Sequence, residues 1–199
     1  MRMFLKLKTH VKSFYRLKHV LFETQNKNCL ITLNRPEALN ALNLSMIEDI
    51  SNHLKKNDNN SIVITGNTKA FCAGGDVVSL FNAKEDDSNK LAREFFSNEY
   101  RLDYLTSNLI VPYISLIEGV YMGGGVGISV HGPYRVVTEN TTFAMPETSI
   151  GFIPDVGGSH FLSRLKNGLG MFLGLTGARL KGSSIYHAGI ATHFVKSEK

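Results

Sequence analysis

Cysteine is scarce in this sequence. Cys29 and Cys72 are the only two, and they stand 43 residues apart. That spacing fits no metal motif, and two isolated thiols read as reduced cysteines of a reducing compartment. Long apolar runs are missing as well, and the longest fall far short of a membrane span. No G-x-G-x-x-G is completed, because Ile128 stands where the third glycine after Gly123 and Gly125 belongs. No phosphate-loop lysine follows a glycine cluster. The seven histidines contain no H-E-x-x-H pair. Ser129 lacks the second glycine of a nucleophile elbow, since His131 holds that position. Dinucleotide redox chemistry, P-loop chemistry, serine hydrolysis and metal catalysis all lose their sequence signals together.

Acidic residues are absent from the N-terminal stretch. Residues 1–22 carry Arg2, Lys6, Lys8, Lys12, Arg16 and Lys18 and no Asp or Glu. The rest of the chain holds 16 basic against 17 acidic residues, so the net charge of +5 comes from the N-terminal end. A near-neutral body gives no basic face for nucleic acid. The segment 1–19 reads either as a mitochondrial transit segment or as a basic surface tail. At 199 residues and 43% hydrophobic composition, residues 20–199 are expected to form one globular unit.

Hydrophobic patterning then sets the elements. Val20–Glu23 and Cys29–Leu33 predict a hairpin with a polar turn at 24–28. Leu44, Met46, Ile47, Ile50 and Leu54 recur at helical spacing after Asn43 or Ser45 as cap. Ser61–Gly66 reads as a buried parallel strand. A long helix is expected over 86–107, with Leu91, Phe95, Leu102 and Leu105 on its inner face. Strands follow at 111–119, 134–138, 142–145 and 191–195. Short helices are expected at 125–131, 159–165, 169–175 and 183–188. Strands alternating with helices make the fold class α/β.

What is abundant is glycine, in two clusters. Ala70-Phe71-Cys72-Ala73-Gly74-Gly75-Asp76 and Met122-Gly123-Gly124-Gly125-Val126-Gly127 each follow a strand and each open a helix. Consecutive glycines permit positive φ and close backbone approach. One such turn reads as tight helix–strand packing. Two of them could each aim an N–H at one point, which is the arrangement an oxyanion needs. Positive helix ends would add to it. Glu147 follows a strand and a proline, and Asp155 lies in a glycine-bordered loop. Each reads equally as a catalytic carboxylate or as a cap of its turn. Glu99, with Arg93, Glu94 and Arg101 nearby, reads as part of a solvated helix face. Glu118 reads as structural.

Across these residues the chain resembles the enoyl-CoA hydratase/isomerase (crotonase) superfamily, and within it the 3-hydroxyisobutyryl-CoA hydrolase branch. The matching stretches are ITLNRPEALNALNLSMI (31–47), KAFCAGGD (69–76), the helix with Glu99-Tyr100, EGVYMGGGVGISVHG (118–132), RVVTENTTFAMPETSIGFIPDVGG (135–158) and LTGARLKGSSIYHAGIATHFV (175–195). The resemblance implies a crotonase-like ββα spiral core with surrounding helices. It implies an oxyanion hole from the Gly75 and Gly124 amides. Coenzyme A would run along Ala70, Phe71, Cys72, Ala73, Gly74 and Gly75. It carries no separate cofactor, because coenzyme A is part of the acyl-CoA substrate. Hydratases keep two water-activating glutamates; one matches Glu147, and the other falls on Gly127 and is missing. The hydrolase branch has substrate-contacting carboxylates that match Glu99, Glu147 and Asp155, beside Gly124. The implied reaction is therefore hydrolysis of 3-hydroxyisobutyryl-CoA in valine breakdown, with Glu147 and Asp155 catalytic and Glu99 on the acyl hydroxyl. The alternatives are an enoyl-CoA hydratase or isomerase, and an inactive coenzyme A-binding fragment. The family's chain continues past His193-Phe194-Val195 with helices that close the acyl pocket and support self-association. Exposed apolar surface is expected on a chain lacking them.

Overall fold

The computed structural model describes residues 19–56, 58–66, 69–82 and 85–198, with backbone alone for 85–88. The basic segment read as a transit peptide lies outside the described residues, apart from His19. Strands β1 (Val20–Gln25) and β2 (Asn28–Leu33) form the expected hairpin, registered Val20 to Leu33. Its turn puts Asn26 and Lys27 at positive φ, so it is tighter than the polar stretch predicts. Helix α1 (Leu44–Lys55) is capped by the Asn43 side chain, which accepts from the Met46 amide at 3.0 Å. It buries Met46, Ile47, Ile50 and Leu54, the stripe that the period marks out.

The strands divide between two sheets. Strand β3 (Ser61–Thr65) leads to β4 (Ala70–Cys72), β5 (Tyr113–Ile117) to β6 (Val120–Met122), and β7 (Tyr134–Val137) to β8 (Thr142–Ala144). The first member of each pair joins a six-stranded sheet with order β1-β2-β3-β5-β7-β10, in which β10 is His193–Phe194. The second joins a four-stranded sheet with order β4-β6-β8-β9, in which β9 is Leu180–Lys181. Among the described strands only β1–β2 and β8–β9 are antiparallel. Each turn of this spiral thus adds a long strand, a corner and a short strand. At the β5–β6 corner Gly119 has φ +74°, and a side chain there would strike the Lys69 carbonyl of the neighbouring corner.

Helices follow the short strands. They are α2 (Val77–Phe81), α3 (Glu85–Ser107), α4 (Gly124–Val130), α5 (Gly158–Leu162), α6 (Leu169–Thr176) and α7 (Ser183–His187). The core fills the space between helices and sheets with Ile31, Leu33, Ile62, Ile64, Phe71, Tyr113 and Phe143. Helix α5 starts and stops earlier than expected, and β10 keeps two of the five residues read as strand. No described helix is long and apolar enough to cross a membrane.

Candidate active site

The two glycine turns meet. Gly74 has φ +125° and Gly123 φ +45°, conformations that side chains oppose. A side chain at Gly124 would begin 3.1 Å from the Gly75 nitrogen. One at Gly74 would begin 3.9 Å from the Gly124 nitrogen. As the first residue of α4, Gly124 has no acceptor for its N–H within the helix. The geometry therefore brings Gly75 and Gly124 to one place.

The first turn is strapped from outside. The Leu42 amide donates to the Gly74 carbonyl at 2.8 Å, and the Asp76 amide to the Leu42 carbonyl at 2.8 Å. The Ala73 amide donates to the Leu39 carbonyl at 3.0 Å. The buried Asn40 side chain donates to the Ala70 and Phe71 carbonyls at 2.8 and 3.2 Å. Arg35 pairs with Asp76 at 2.7 Å. Asp76 in turn caps α2 by accepting from the Ser79 amide and hydroxyl. Burial opposes ionisation of Asp76, but the bonds from Ser79 and Arg35 outweigh it and hold the carboxyl below its ordinary value. Ala70, Phe71 and Cys72 are fully buried as strand β4, so among the residues expected along coenzyme A the partly accessible ones are Ala73 and Gly75.

Carboxylates gather at the meeting point. Helix α3 turns Phe95, Glu99, Leu102, Asp103 and Thr106 inward, while Arg93, Glu94 and Arg101 face solvent. Glu99 is thus 2% exposed, which corrects the reading of a solvated face. The period that buries Phe95 and Leu102 buries it too. Its Oε1 lies against Gly124 and 3.5 Å from where a Gly75 side chain would begin. Burial, with the charges of Asp155 and Glu147, pushes Glu99 up to about 8. Glu147 opens a 3-10 turn (Glu147–Ile150), with Oε1 3.0 Å from where a Gly123 side chain would begin. Burial and the Asp155 charge push it up to about 7. Asp155 accepts from the Tyr100 hydroxyl at 2.9 Å and is raised by burial. It does not cap α5, whose cap is Gly157 without a side-chain bond.

Asp103 was not singled out from the sequence, and it belongs to this cluster. It is 5% exposed, and both carboxyl oxygens lack a hydrogen-bond partner. Burial first, then the Glu99 and Asp155 charges, raise it well above its ordinary value. Its place one helical turn after Glu99 is the signal that could have found it. Glu118 accepts from Asn140 at 2.9 Å, away from the site, as the structural reading expects. Among the described residues no group of three or more His, Cys, Asp or Glu could hold a metal ion.

Two glycine turns brought together with buried acids around them are an arrangement that can stabilise an oxyanion and move protons beside it. A family model described as Enoyl-CoA hydratase/isomerase matches residues 28–199. The chain belongs to the enoyl-CoA hydratase/isomerase family. Among solved structures, this family member is similar to a carnitinyl-CoA dehydratase from Mycobacterium thermoresistibile, with a TM-score of 0.86, 42% identity, and coverage of 92% of this chain and 55% of the other. An enoyl-CoA hydratase from Rhodobacter sphaeroides 2.4.1 gives a TM-score of 0.85 at 36% identity, covering 91% and 55%. The crotonase-like spiral core is therefore the observed fold. Among curated proteins, the family member is 52% identical to the mitochondrial 3-hydroxyisobutyryl-CoA hydrolase of Danio rerio over 195 residues, 96% of this chain and 51% of the relative. It is 53% identical to that of Homo sapiens over 187 residues, 92% and 48%. The chain spans about half the length of the curated relatives it matches.

Proposed function

We propose that this protein hydrolyses a short hydroxyacyl-CoA thioester of the 3-hydroxyisobutyryl type, in valine breakdown. The observation that carries the reading is Glu147, a carboxyl with pKa pushed up to about 7 beside the second glycine turn, in a chain with no carboxylate at position 127. The thioester carbonyl oxygen takes the Gly75 and Gly124 amides. Glu147 acts in one of two ways. As a general base it removes a proton from water while the water oxygen attacks the carbonyl carbon. As a nucleophile its own oxygen attacks and forms an anhydride that water then opens. In both routes the electron pair moves onto the carbonyl oxygen and returns as the carbon–sulfur bond breaks. The departing thiolate takes a proton from an acid of the cluster, and Asp155, held by Tyr100, has that role. Glu99 contacts the acyl hydroxyl. Coenzyme A runs along 70–75 by way of Ala73 and Gly75.

The curated relatives carry "mitochondrial" in their names, and with the basic, acid-free segment 1–19 this supports a mitochondrial location. Self-association belongs to the same proposal. It is supported by exposed Ile150, Ile153, Met171, Phe172 and Leu175, on the 3-10 turn, the loop after it and α6.

The test is thiol release from 3-hydroxyisobutyryl-CoA by the wild type and by Glu147→Gln. Loss of the carboxylate is expected to slow release by about 10²–10⁴-fold. Equal, slow release by both proteins would leave a coenzyme A-binding fragment as the better description. Rapid loss of the enoyl absorbance of crotonyl-CoA would instead establish a hydratase.

A further inference from the structure

Asp155 stands at the head of a turn that its own sequence opposes. The Gly158 amide donates to the Asp155 carbonyl at 2.6 Å and closes the turn. Both central residues have positive φ, Val156 at +45° and Gly157 at +76°. Glycine adopts such a conformation freely, and asparagine or aspartate tolerates it. A β-branched side chain crowds the backbone there. Among the described residues, Val156 is the one β-branched residue at positive φ. Strain of this kind persists only where the surroundings over-determine it, and it gathers at functional sites.

The surroundings that hold Val156 come from α4. Its side chain is packed in, with the residue 1% exposed and its Cβ 2.7 Å from where a Gly127 side chain would begin. Any side chain at 127 would drive Val156 out. One turn on, at the end of the same helix, His131 Nε2 lies 2.8 Å from the Val156 carbonyl oxygen. A carbonyl only accepts, so Nε2 carries the proton and donates it. The ring also covers Gly157, where a side chain would begin 2.5 Å from His131 Cε1. Burial first, then the His160 and Arg135 charges, holds the imidazole below its ordinary value against the pull of the Val156 bond. Helix α4 therefore touches the site three times. Gly124 brings its amide to the meeting point, Gly127 seats Val156, and His131 clamps the Val156 carbonyl. Asp155, one residue earlier, meets the Tyr100 hydroxyl at 2.9 Å.

We propose that His131 is a positioning residue of this site: its Nε2–H holds the Asp155–Gly158 turn in its strained form, with Gly127 as the seat for Val156, and so sets the Asp155 carboxyl beside the reacting thioester. Gly127 thereby has a task of its own, beyond lacking a carboxylate. The inference rests on the hydrolase reading for what Asp155 does, and on the turn alone for how it is held.

The first test is thiol release from 3-hydroxyisobutyryl-CoA. His131→Phe keeps a ring over Gly157 and removes the donor. It is expected to lower kcat by on the order of 10²-fold, as a misplaced catalytic group does. KM should change little, because the proton from Asp155 is needed only as the carbon–sulfur bond breaks. His131→Gln keeps an N–H at a similar reach and is expected to recover most of the rate. Gly127→Ala displaces Val156 from the other side and is expected to lower kcat as His131→Phe does. An unchanged kcat in His131→Phe would overturn the inference. So would a loss confined to KM, or a loss in His131→Gln as large as in His131→Phe. The second test is the crystal structure of His131→Phe beside that of the wild type. Val156 is expected to leave positive φ and the Tyr100–Asp155 bond to open. A turn kept as in the wild type would overturn the inference whether or not thiol is released. A wild type that releases no thiol removes the hydrolase reading instead, and the structure of the variant still decides for or against His131.

Discussion

The two glycine turns do the same thing by opposite means. The first turn is a loop held from outside, by backbone bonds from Leu39 and Leu42, by the Asn40 side chain, and by the Arg35–Asp76 pair. The second is a wedge held mostly by close contact, with hydrogen bonds only deeper in its helix. Gly125 lets α4 sit on Cys72, whose Cβ lies 2.6 Å from where a side chain would begin, and Gly127 lets it sit on Asp103. The Ser129 hydroxyl of α4 donates to the Tyr121 hydroxyl of β6 and to the Gly125 carbonyl of its own helix. A strapped turn tolerates a small side chain as long as its hydrogen bonds survive. A wedged turn tolerates none, because interiors are close-packed and backbone lies on the other side.

The largest effect should separate the two glycines that point at each other. Gly124→Ala puts a methyl into Glu99 Oε1 and 3.1 Å from the Gly75 nitrogen, in the place proposed for the oxyanion. Turnover in thiol release is expected to fall by on the order of 10²–10³, as for loss of an oxyanion donor. Gly75→Ala meets the edge of the Phe95 ring at 3.0 Å, and a ring can move by a few tenths of an ångström. Its loss should be smaller. If Gly75→Ala proves the more damaging variant, the distinction between strap and wedge is wrong.

Stability should show the supports themselves. Gly125→Ala places a methyl 2.6 Å from Cys72 Cβ and 2.7 Å from its carbonyl oxygen. Overpacking of this kind costs about 1–3 kcal/mol. Asn40→Ala removes the donor to two buried carbonyls, a loss of about the same size. Urea unfolding measures both. Only Asn40→Ala is expected to slow thiol release in addition, because it loosens the first turn without touching the second. A full midpoint in Asn40→Ala would show that the strap holds nothing.

The sequence discloses these two regions unequally. Helix α1 and the long strands are legible because they last long enough to show a period. Strands β6 and β9, of three and two residues, do not, and neither does the division into two sheets. Glycine clustering marks both turns, but which two glycines face each other came through the family resemblance. Glu99 was hidden by Arg93, Glu94 and Arg101, although Phe95 and Leu102 already defined the face it shares. Asn40 was beyond reach, since a loop asparagine that bonds carbonyls 30 and 31 positions away has no local signature. Asp155 could be read as a cap until its bond from Tyr100 appeared, 55 residues away in sequence.

A further effect is a difference in pH response between the turns. At the first turn Asp76 is held below its ordinary value, so the folded state favours its charged form. Its contribution is complete above the unfolded aspartate value of about 3.9 and is lost as pH falls further through the folded value. Glu147 and Glu99, at the second turn, are raised to about 7 and about 8. There the folded state holds protons that the unfolded chain releases above about pH 4.3. Their stabilisation is complete below that pH and is lost as pH climbs through the folded values. Thermal midpoints across pH should therefore respond to variants at opposite ends. Asp76→Asn should be less stable than wild type at pH 7 and approach it at pH 3. Glu99→Gln should match wild type near pH 4 and exceed it increasingly up to pH 8, because an amide has no proton to lose. Parallel curves for Glu99→Gln and wild type would mean that the buried acids of the second turn release no protons on unfolding, and that its strain is steric alone.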